Sequence, residues 1–420
     1  MNILLKYLKI YTILIAAFFI FLVLSCLLPY ESVQKNIEKS LPELIEEGGY
    51  PKTILKGDKY RQDNFTDALI LNVITSSDSK RPVRSAMMNY FSFQSPEKEC
   101  IIAFLDYKVK NIDLPPNSPY SRYWFGSAAV CRILLLAMNY QQIKWFLYIL
   151  SSLLLLLFAV KIVNRTGWIK SLPIFLALLF ANFFVTQFAV QFFPVMAISL
   201  IGGIWMCGNG LKPRGKITMF FFVIGMFTAY FDLLTTPLLT LGLPLIVYMV
   251  LNGEEKKSTY EFYKSIFILC LFWFIGYAGA WIIKWVLTVI LADSTAISSA
   301  IQAIKWRTTT EEYTRWDAVV QNFNLIPLAY LNLVLIILFL LTFLSFNKKG
   351  IPLAIAFLIV GLFPYIWYWI LSSHSYPHWW FTYRAQVISM SCAMLFFVSL
   401  IDWERLKSKF KIKDKNNLLC

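Results

Sequence analysis

Histidine, charge and paired cysteines are the scarce features of this sequence. Only two histidines occur among its 420 residues, which excludes a histidine-rich metal centre. None of the seven cysteines stands in a CxxC spacing, and most lie within hydrophobic runs, so neither a disulfide framework nor a zinc site is indicated. Charged residues make up 15% of the chain, whereas soluble domains carry about 25%. This scarcity of charge argues against a soluble domain.

Hydrophobic residues are abundant instead, at 58% of the chain, with 17% aromatic. Apolar runs of about 18–20 residues recur, and each could cross roughly 30 Å of hydrocarbon as a helix. The sequence therefore predicts an all-α polytopic membrane protein with about ten transmembrane helices.

The formal net charge of +15 does not indicate a nucleic-acid partner. About half of the Lys and Arg residues flank hydrophobic runs, which is typical of cytoplasmic loops beside membrane lipids rather than of a basic binding face. Residues 405–415 carry six basic side chains. This pattern predicts a multi-pass protein with both termini in the cytoplasm.

We expect a single membrane domain over residues 1–420. Its predicted parts are a signal-anchor helix (1–28), a large extracytoplasmic loop with interfacial helices (29–140), the remaining transmembrane helices (141–401) and a basic cytoplasmic tail (402–420).

Two acidic residues in the first loop, Asp63 and Asp67, are the candidates for catalysis. Four residues apart, they would share one face of a helix. A partly buried carboxylate beside a membrane can act as a general base towards a hydroxyl. The alternative is that Asp63 only caps a helix, since Asp and Asn favour helix starts.

Further ionisable residues are expected on the same side of the membrane, where each needs a partner or a function. As substrate-binding candidates we take Arg122, Asp232, Lys284, Arg307, His374, His378 and Arg384. Arginine suits a phosphate because its planar fork forms paired hydrogen bonds. The alternatives are a tight turn at Asp232, an aromatic belt around residues 374–384, and arginines that merely reach the interface.

An N-terminal signal anchor, a large outward loop with an acid and an interfacial helix, and many later spans together resemble the GT-C superfamily of membrane glycosyltransferases. The resemblance implies a bacterial inner-membrane enzyme that builds a cell-surface polysaccharide. It would transfer a sugar from a polyprenyl-phosphate carrier to a glycan or lipid acceptor, with inversion. It also implies that Asp63 or Asp67 is the base and that Arg307, Arg384 or Lys284 holds the phosphate. A divalent cation could share the phosphate, and the sequence neither requires nor excludes one.

Two alternatives stay open. One is a transporter or flippase of a lipid-linked or anionic substrate, which should carry ionisable residues near mid-membrane and matched pairs of broken helices. The other is a non-catalytic subunit of polysaccharide assembly, in which the acids would only cap helices.

Overall fold

The computed structural model describes residues 3–52, 57–95, 98–186, 188–253, 258–309 and 312–409. Within these ranges the chain forms 23 α-helices and three short 3-10 helices, and no β-strand. An all-α fold is thus confirmed for this part of the chain. Most of the predicted basic tail, from residue 410 onwards, lies outside it.

The helices fall into three successive groups along the chain. The first group is α1 (Ile3–Ser25), α2 (Tyr30–Glu38), α3 (Leu41–Glu47), α4 (Asn64–Thr75), α5 (Pro82–Met88), α6 (Ile101–Lys110) and α7 (Gly126–Leu134). The second is α8 (Tyr140–Thr166), α9 (Trp168–Phe180), α10 (Phe183–Thr186), α11 (Phe193–Asn209), α12 (Arg214–Phe231), α13 (Leu238–Asn252) and α14 (Thr259–Leu291). The third is α15 (Ala296–Thr308), α16 (Arg315–Phe323), α17 (Leu328–Leu344), α18 (Ile351–Gly361), α19 (Phe363–Ile370), α20 (Ser372–Ser375), α21 (Trp379–Thr382), α22 (Val387–Leu400) and α23 (Trp403–Lys409).

Five helical segments of the described chain are long and apolar enough to cross a membrane: Ile3–Ser25, Tyr140–Thr166, Thr259–Leu291, Lys348–Ile370 and Trp379–Leu400. A sixth arises if α16 and α17, which are bent by 77° relative to each other, form one broken span. Large apolar side chains stay uncovered on these segments, with Phe343 84% and Ile290 70% exposed. Extensive apolar surface of this kind marks a membrane protein rather than a soluble one.

The expected count of about ten spans is not confirmed. The apolar helices α9, α11 and α13 have 13, 17 and 15 residues, fewer than the roughly 20 that a bilayer requires. Within the segment 141–401, where transmembrane helices were expected, the apolar run between residues 172 and 207 is interrupted at Asn182, which has a left-handed φ of 55°. The composition of this segment indicates an apolar run, but the backbone conformation at Asn182 ends α9 before the run ends.

We call helices α2–α7 the cap. Helices α2, α3, α4, α6 and α7 enclose a hydrophobic core of their own with the start of α8, whereas Ala86 and Met87 of α5 belong to the main helical core. Two buried side chains fasten the cap to the long helices. Arg132 in α7 donates to Ser25 Oγ in α1 at 2.9 Å, and the Trp124 indole donates to the carbonyl of Ala280 in α14 at 2.7 Å. These contacts fix α7 and the residues before it against α1 and α14.

Glycines allow α12 and α14 to pack backbone to backbone. A Cβ atom on Gly276 would lie 2.1 Å from the carbonyl oxygen of Phe222, and one on Gly225 would lie 2.1 Å from that of Trp273. Such contacts are possible only without a side chain, and small residues of this kind are typical of membrane helix interfaces. The close pair forms the centre of the helical core.

Candidate active site

A polar cavity of about 210 Å³ lies where the cap meets residues 371–381. It is lined by Tyr50, Asp63, Phe65, Thr66, Leu69, Tyr120, Arg122, Tyr123, Gln191, Leu233, Trp306, Arg307, His374, His378, Trp380 and Phe381. Five of the nine residues singled out from the sequence therefore line one cavity, although they come from four separate parts of the chain. They are Asp63, Arg122, Arg307, His374 and His378.

Asp63 caps α4 and also faces the polar cavity. Its Oδ1 accepts from the backbone N–H of Thr66 at 3.0 Å, and its Oδ2 accepts from the Thr66 hydroxyl at 2.7 Å and from the Gln191 amide. The expected capping role is thus present. A carboxylate offers about four lone pairs, so Oδ1 keeps capacity for one more donor. Burial raises the pKa of Asp63 to about 7, a value suited to a base near neutral pH.

Asp67 has different surroundings from Asp63 and is not among the residues that line the polar cavity. Its carboxylate accepts from the Tyr140 hydroxyl at 2.7 Å and from the backbone N–H groups of Val190 and Gln191 at 2.9 and 3.0 Å. Burial raises its pKa to about 6. Asp67 therefore ties α4 to α8 and to the segment that carries Gln191.

Arg307 brings a buried cation to the cavity. Its Nη2 donates to the Tyr123 hydroxyl at 2.7 Å, while its Nε has no hydrogen-bond partner among the described residues. The guanidinium group of Arg122 lies 4.2 Å from the centroid of the Tyr120 ring, and like that of Arg307 it is also near the Tyr123 ring. Its Nε lacks a hydrogen-bond partner within the described part of the chain. A buried donor without a partner is costly, so these two guanidinium groups favour an anionic ligand.

The two histidines lie four residues apart with ring centroids separated by 4.9 Å. His374 donates from Nε2 to the carbonyl oxygen of Leu234 at 2.8 Å, because a carbonyl can only accept; this leaves Nδ1 as the acceptor in the neutral ring. Burial and the nearby Arg307 lower the pKa of His378 to about 4, and burial lowers that of His374 well below its usual range. Both rings are neutral at pH 7.

Asp232 lies outside the lining of the polar cavity but shapes the turn behind it. Its carboxylate accepts from the backbone N–H groups of Leu234 and Thr235 at 2.9 and 3.0 Å, and from the Thr235 hydroxyl. The turn holds Leu234 at a left-handed φ of 67°, and the carbonyl of Leu234 receives the His374 ring. The expected tight turn is present, and it orients a histidine of the cavity.

Lys284 and Arg384 are likewise absent from the lining of the polar cavity. The Lys284 ammonium donates to the carbonyl oxygens of Met87 at 2.7 Å and Ala86 at 3.4 Å, at the end of α5, where a cation is favourable. Arg384 is buried between Phe192 and Tyr383, and its Nη2 donates to the carbonyl oxygen of Lys59 at 3.4 Å.

Some residues of the cavity were not foreseen from the sequence. The side-chain amide of Gln191 contacts Asp63. Tyr123 orients Arg307, and Trp306 forms part of the wall. The available signal was weak: Gln191 is an isolated polar residue in an apolar run, and aromatic residues near a membrane surface are common.

Within the described ranges, no group of three or more His, Cys, Asp or Glu side chains could hold a metal ion. Comparisons of the chain with models of protein families, with curated proteins and with solved structures found no match.

Proposed function

We propose that this protein is a membrane glycosyltransferase similar to the GT-C superfamily, working at the outer face of a bacterial inner membrane. It would transfer a sugar from a polyprenyl-phosphate carrier to a glycan or lipid acceptor. One observation carries the proposal: a carboxylate with a spare lone pair, Asp63, and a cation with an unpartnered donor, Arg307, line the same small cavity beside apolar helices.

In the proposed reaction Asp63 is the general base. The acceptor hydroxyl oxygen forms a bond to the anomeric carbon of the sugar, and its proton passes to Asp63. The bond between the anomeric carbon and the phosphate oxygen breaks, and its electron pair leaves with the phosphate. Attack from the face opposite the phosphate inverts the anomeric centre.

Arg307 and Arg122 would receive the phosphate. Negative charge grows on the leaving oxygen as the bond breaks, and fixed donors in a poorly hydrated cavity stabilise such charge strongly. Both arginines line the polar cavity, so their guanidinium groups would gain an acceptor when the donor substrate binds. The neutral histidines would orient sugar hydroxyl groups, since a neutral imidazole both donates and accepts hydrogen bonds.

The lipid part of the donor has a suitable neighbour. An apolar cavity of about 290 Å³ lies between α7, α8, α11 and α12, with Val190 in its wall. The next residue, Gln191, lines the polar cavity. A carrier could therefore place its phosphate beside Arg307 and its first isoprene units against apolar side chains.

The test is transfer by the purified full-length protein in lipid nanodiscs, using defined radiolabelled polyprenyl-phosphate sugars and a panel of glycan and lipid acceptors. We expect an inverted product from wild type. Arg307→Gln should raise the donor KM, whereas Arg315→Gln, an exposed residue outside the polar cavity, should not. Absence of transfer with every donor, or equal donor KM values in both variants, would contradict the proposal.

A further inference from the structure

A second cavity, of about 560 Å³, adjoins the polar cavity. It is lined by Trp306, Thr309, Glu312, Tyr313, Ser373, Tyr376 and Pro377, and we call it the aromatic cavity. Its volume lies within the roughly 300–1,000 Å³ typical of ligand pockets. Its walls come from three parts of the chain: the end of α15, residues 312 and 313, and α20 with residues 376 and 377.

The two cavities share a wall. Trp306 lines both of them. Along residues 373–378 the side chains divide between the two sides: Ser373 and Tyr376 line the aromatic cavity, whereas His374 and His378 line the polar cavity. A ligand that extends across the Trp306 indole would therefore reach from one cavity into the other.

The chemistry of the aromatic cavity suits a carbohydrate. The rings of Tyr313 and Tyr376 are stacked with centroids 4.1 Å apart, and the Trp306 side chain is 62% exposed. Aromatic faces of this kind pack against the C–H faces of sugar rings. Hydroxyl groups of a sugar would find the Glu312 carboxylate as an acceptor.

Ser373 supplies an independent sign of a polar ligand. Ser373 is 4% exposed and lines the aromatic cavity. Its hydroxyl has no hydrogen-bond partner among the described residues. A buried hydroxyl usually finds a partner. If the Ser373 side chain changes rotamer towards the cavity, a sugar hydroxyl could provide that partner, whereas a hydrocarbon chain could not.

Size also separates the roles of the two cavities. The polar cavity, at about 210 Å³, is below the roughly 300–1,000 Å³ typical of whole-ligand pockets. It has room for the reacting groups of two substrates but not for the remainder of an extended acceptor.

We propose that the aromatic cavity binds a carbohydrate acceptor, with Trp306, Tyr313 and Tyr376 packing against its sugar rings and Ser373 and Glu312 binding its hydroxyl groups. The acceptor's terminal hydroxyl then passes Trp306 and reaches Asp63. The site's role as an acceptor site rests on the proposed transferase function, because only a transfer reaction has an acceptor. The binding of sugar can be measured without it.

The binding test uses saturation-transfer NMR on the full-length protein in lipid nanodiscs, without maltoside detergent, whose head group is itself a sugar. The probes are linear pentasaccharides of glucose, mannose, galactose and N-acetylglucosamine, with no donor present. We expect at least one probe to bind, and Tyr376→Ala to weaken it by about threefold to tenfold, as for loss of one aromatic contact.

Matched variants keep the result interpretable. Trp316 is 67% exposed and lies outside both cavities, so Trp316→Ala should bind as wild type does. Thr309→Trp changes an exposed residue of the cavity wall and should block sugar binding by filling the aromatic cavity. It replaces Tyr376→Ala as the test variant if Tyr376→Ala fails to fold. Binding of no probe, or equal binding in Thr309→Trp and wild type, would overturn the site.

The kinetic readout separates the two proposals. If transfer occurs, Tyr376→Ala should raise the acceptor KM and leave the donor KM unchanged; an unchanged acceptor KM would overturn the acceptor site alone. If no donor supports transfer but sugar binding depends on Tyr376 and Thr309, the transferase function falls and the carbohydrate site stands.

Discussion

The carboxylate of Asp67 accepts a hydrogen bond of 3.0 Å from the backbone N–H of Gln191, and the side-chain amide of Gln191 in turn donates to Asp63. The two aspartates are thus connected through one residue from a distant part of the chain. Asp63 lines the polar cavity, and Asp67 holds the backbone of the residue that contacts it. This arrangement gives the two acids different roles and different mutational signatures.

Asp67→Ala should destabilise the protein. The carboxylate receives three donors, from Tyr140, Val190 and Gln191, and the change leaves all three without an acceptor. Each unsatisfied buried group costs about 1–3 kcal/mol, and the three together outweigh the relief of burying an acid whose pKa burial raises to about 6. Thermal unfolding of the variant in nanodiscs should show a lower midpoint than wild type at pH 8, and an unchanged midpoint would contradict the anchoring role.

Asp63→Asn should instead raise stability at high pH. Burial raises the pKa of this carboxyl to about 7, so the folded state favours the protonated form. The unfolded chain ionises near 3.9, and the cost of burying the charge therefore grows as the pH rises from about 4 to 7 and is complete above 7. Unfolding midpoints at pH 8 and pH 5 should show a larger gain at pH 8. An equal gain, or a loss at pH 8, would argue against a costly buried charge.

Lys284→Met tests whether this lysine binds substrate or only supports the fold. The change leaves the carbonyls of Ala86 and Met87 without their donor, and each unsatisfied buried group costs about 1–3 kcal/mol. We expect a lower unfolding midpoint but an unchanged donor KM for the folded fraction, because Lys284 does not line the polar cavity. If the variant is as stable as wild type but has a raised donor KM, Lys284 binds the donor substrate. Lys305→Met, at an exposed position, is the control for the loss of charge.

Gly276→Ala should disrupt the packing of α12 against α14. The added Cβ would meet the carbonyl oxygen of Phe222 at 2.1 Å, so the helices must separate. A Cβ atom added to Gly208 in α11 would meet no other atom within 4 Å. Gly208→Ala should therefore be neutral or slightly stabilising, since Ala favours a helix over Gly by roughly 1 kcal/mol. Comparison of the two unfolding midpoints checks the contact, and similar midpoints would contradict it.

The sequence predicted the apolar helices well, whereas the expected number of membrane spans is not confirmed. Long uninterrupted runs such as those of α1, α8 and α14 leave little choice in a membrane. The run between residues 172 and 207 was different, because Asn182 has a left-handed backbone and its side chain donates to the distant Tyr383 hydroxyl, a tertiary contact that hydropathy does not show. Hydropathy reports where apolar residues occur, not where a helix stops.

From the sequence we could predict which residues gather near the candidate site, but not which of their side chains face its cavity. Charge distribution placed Asp63, Arg307 and His378 on the same side, and all three line one cavity. Which acid faces that cavity depends on side-chain direction: Asp63 precedes α4 as its cap, and Asp67 lies in its first turn. Gln191 and Ser373 escaped notice because their role comes from partners they have, or lack, in three dimensions.

The rate of the chemical step in Asp63→Asn tests the central claim most directly. Single-turnover sugar transfer should be measured at pH 8 for wild type, Asp63→Asn and Asp78→Asn, the last removing an exposed acid outside the polar cavity. Loss of a general base typically costs 10²–10⁴-fold, so we expect about that loss in Asp63→Asn alone, with donor binding retained. The wild-type rate should also rise with pH through about 7 as the Asp63 carboxyl, with its raised pKa, loses its proton. Undiminished transfer by Asp63→Asn would contradict the account.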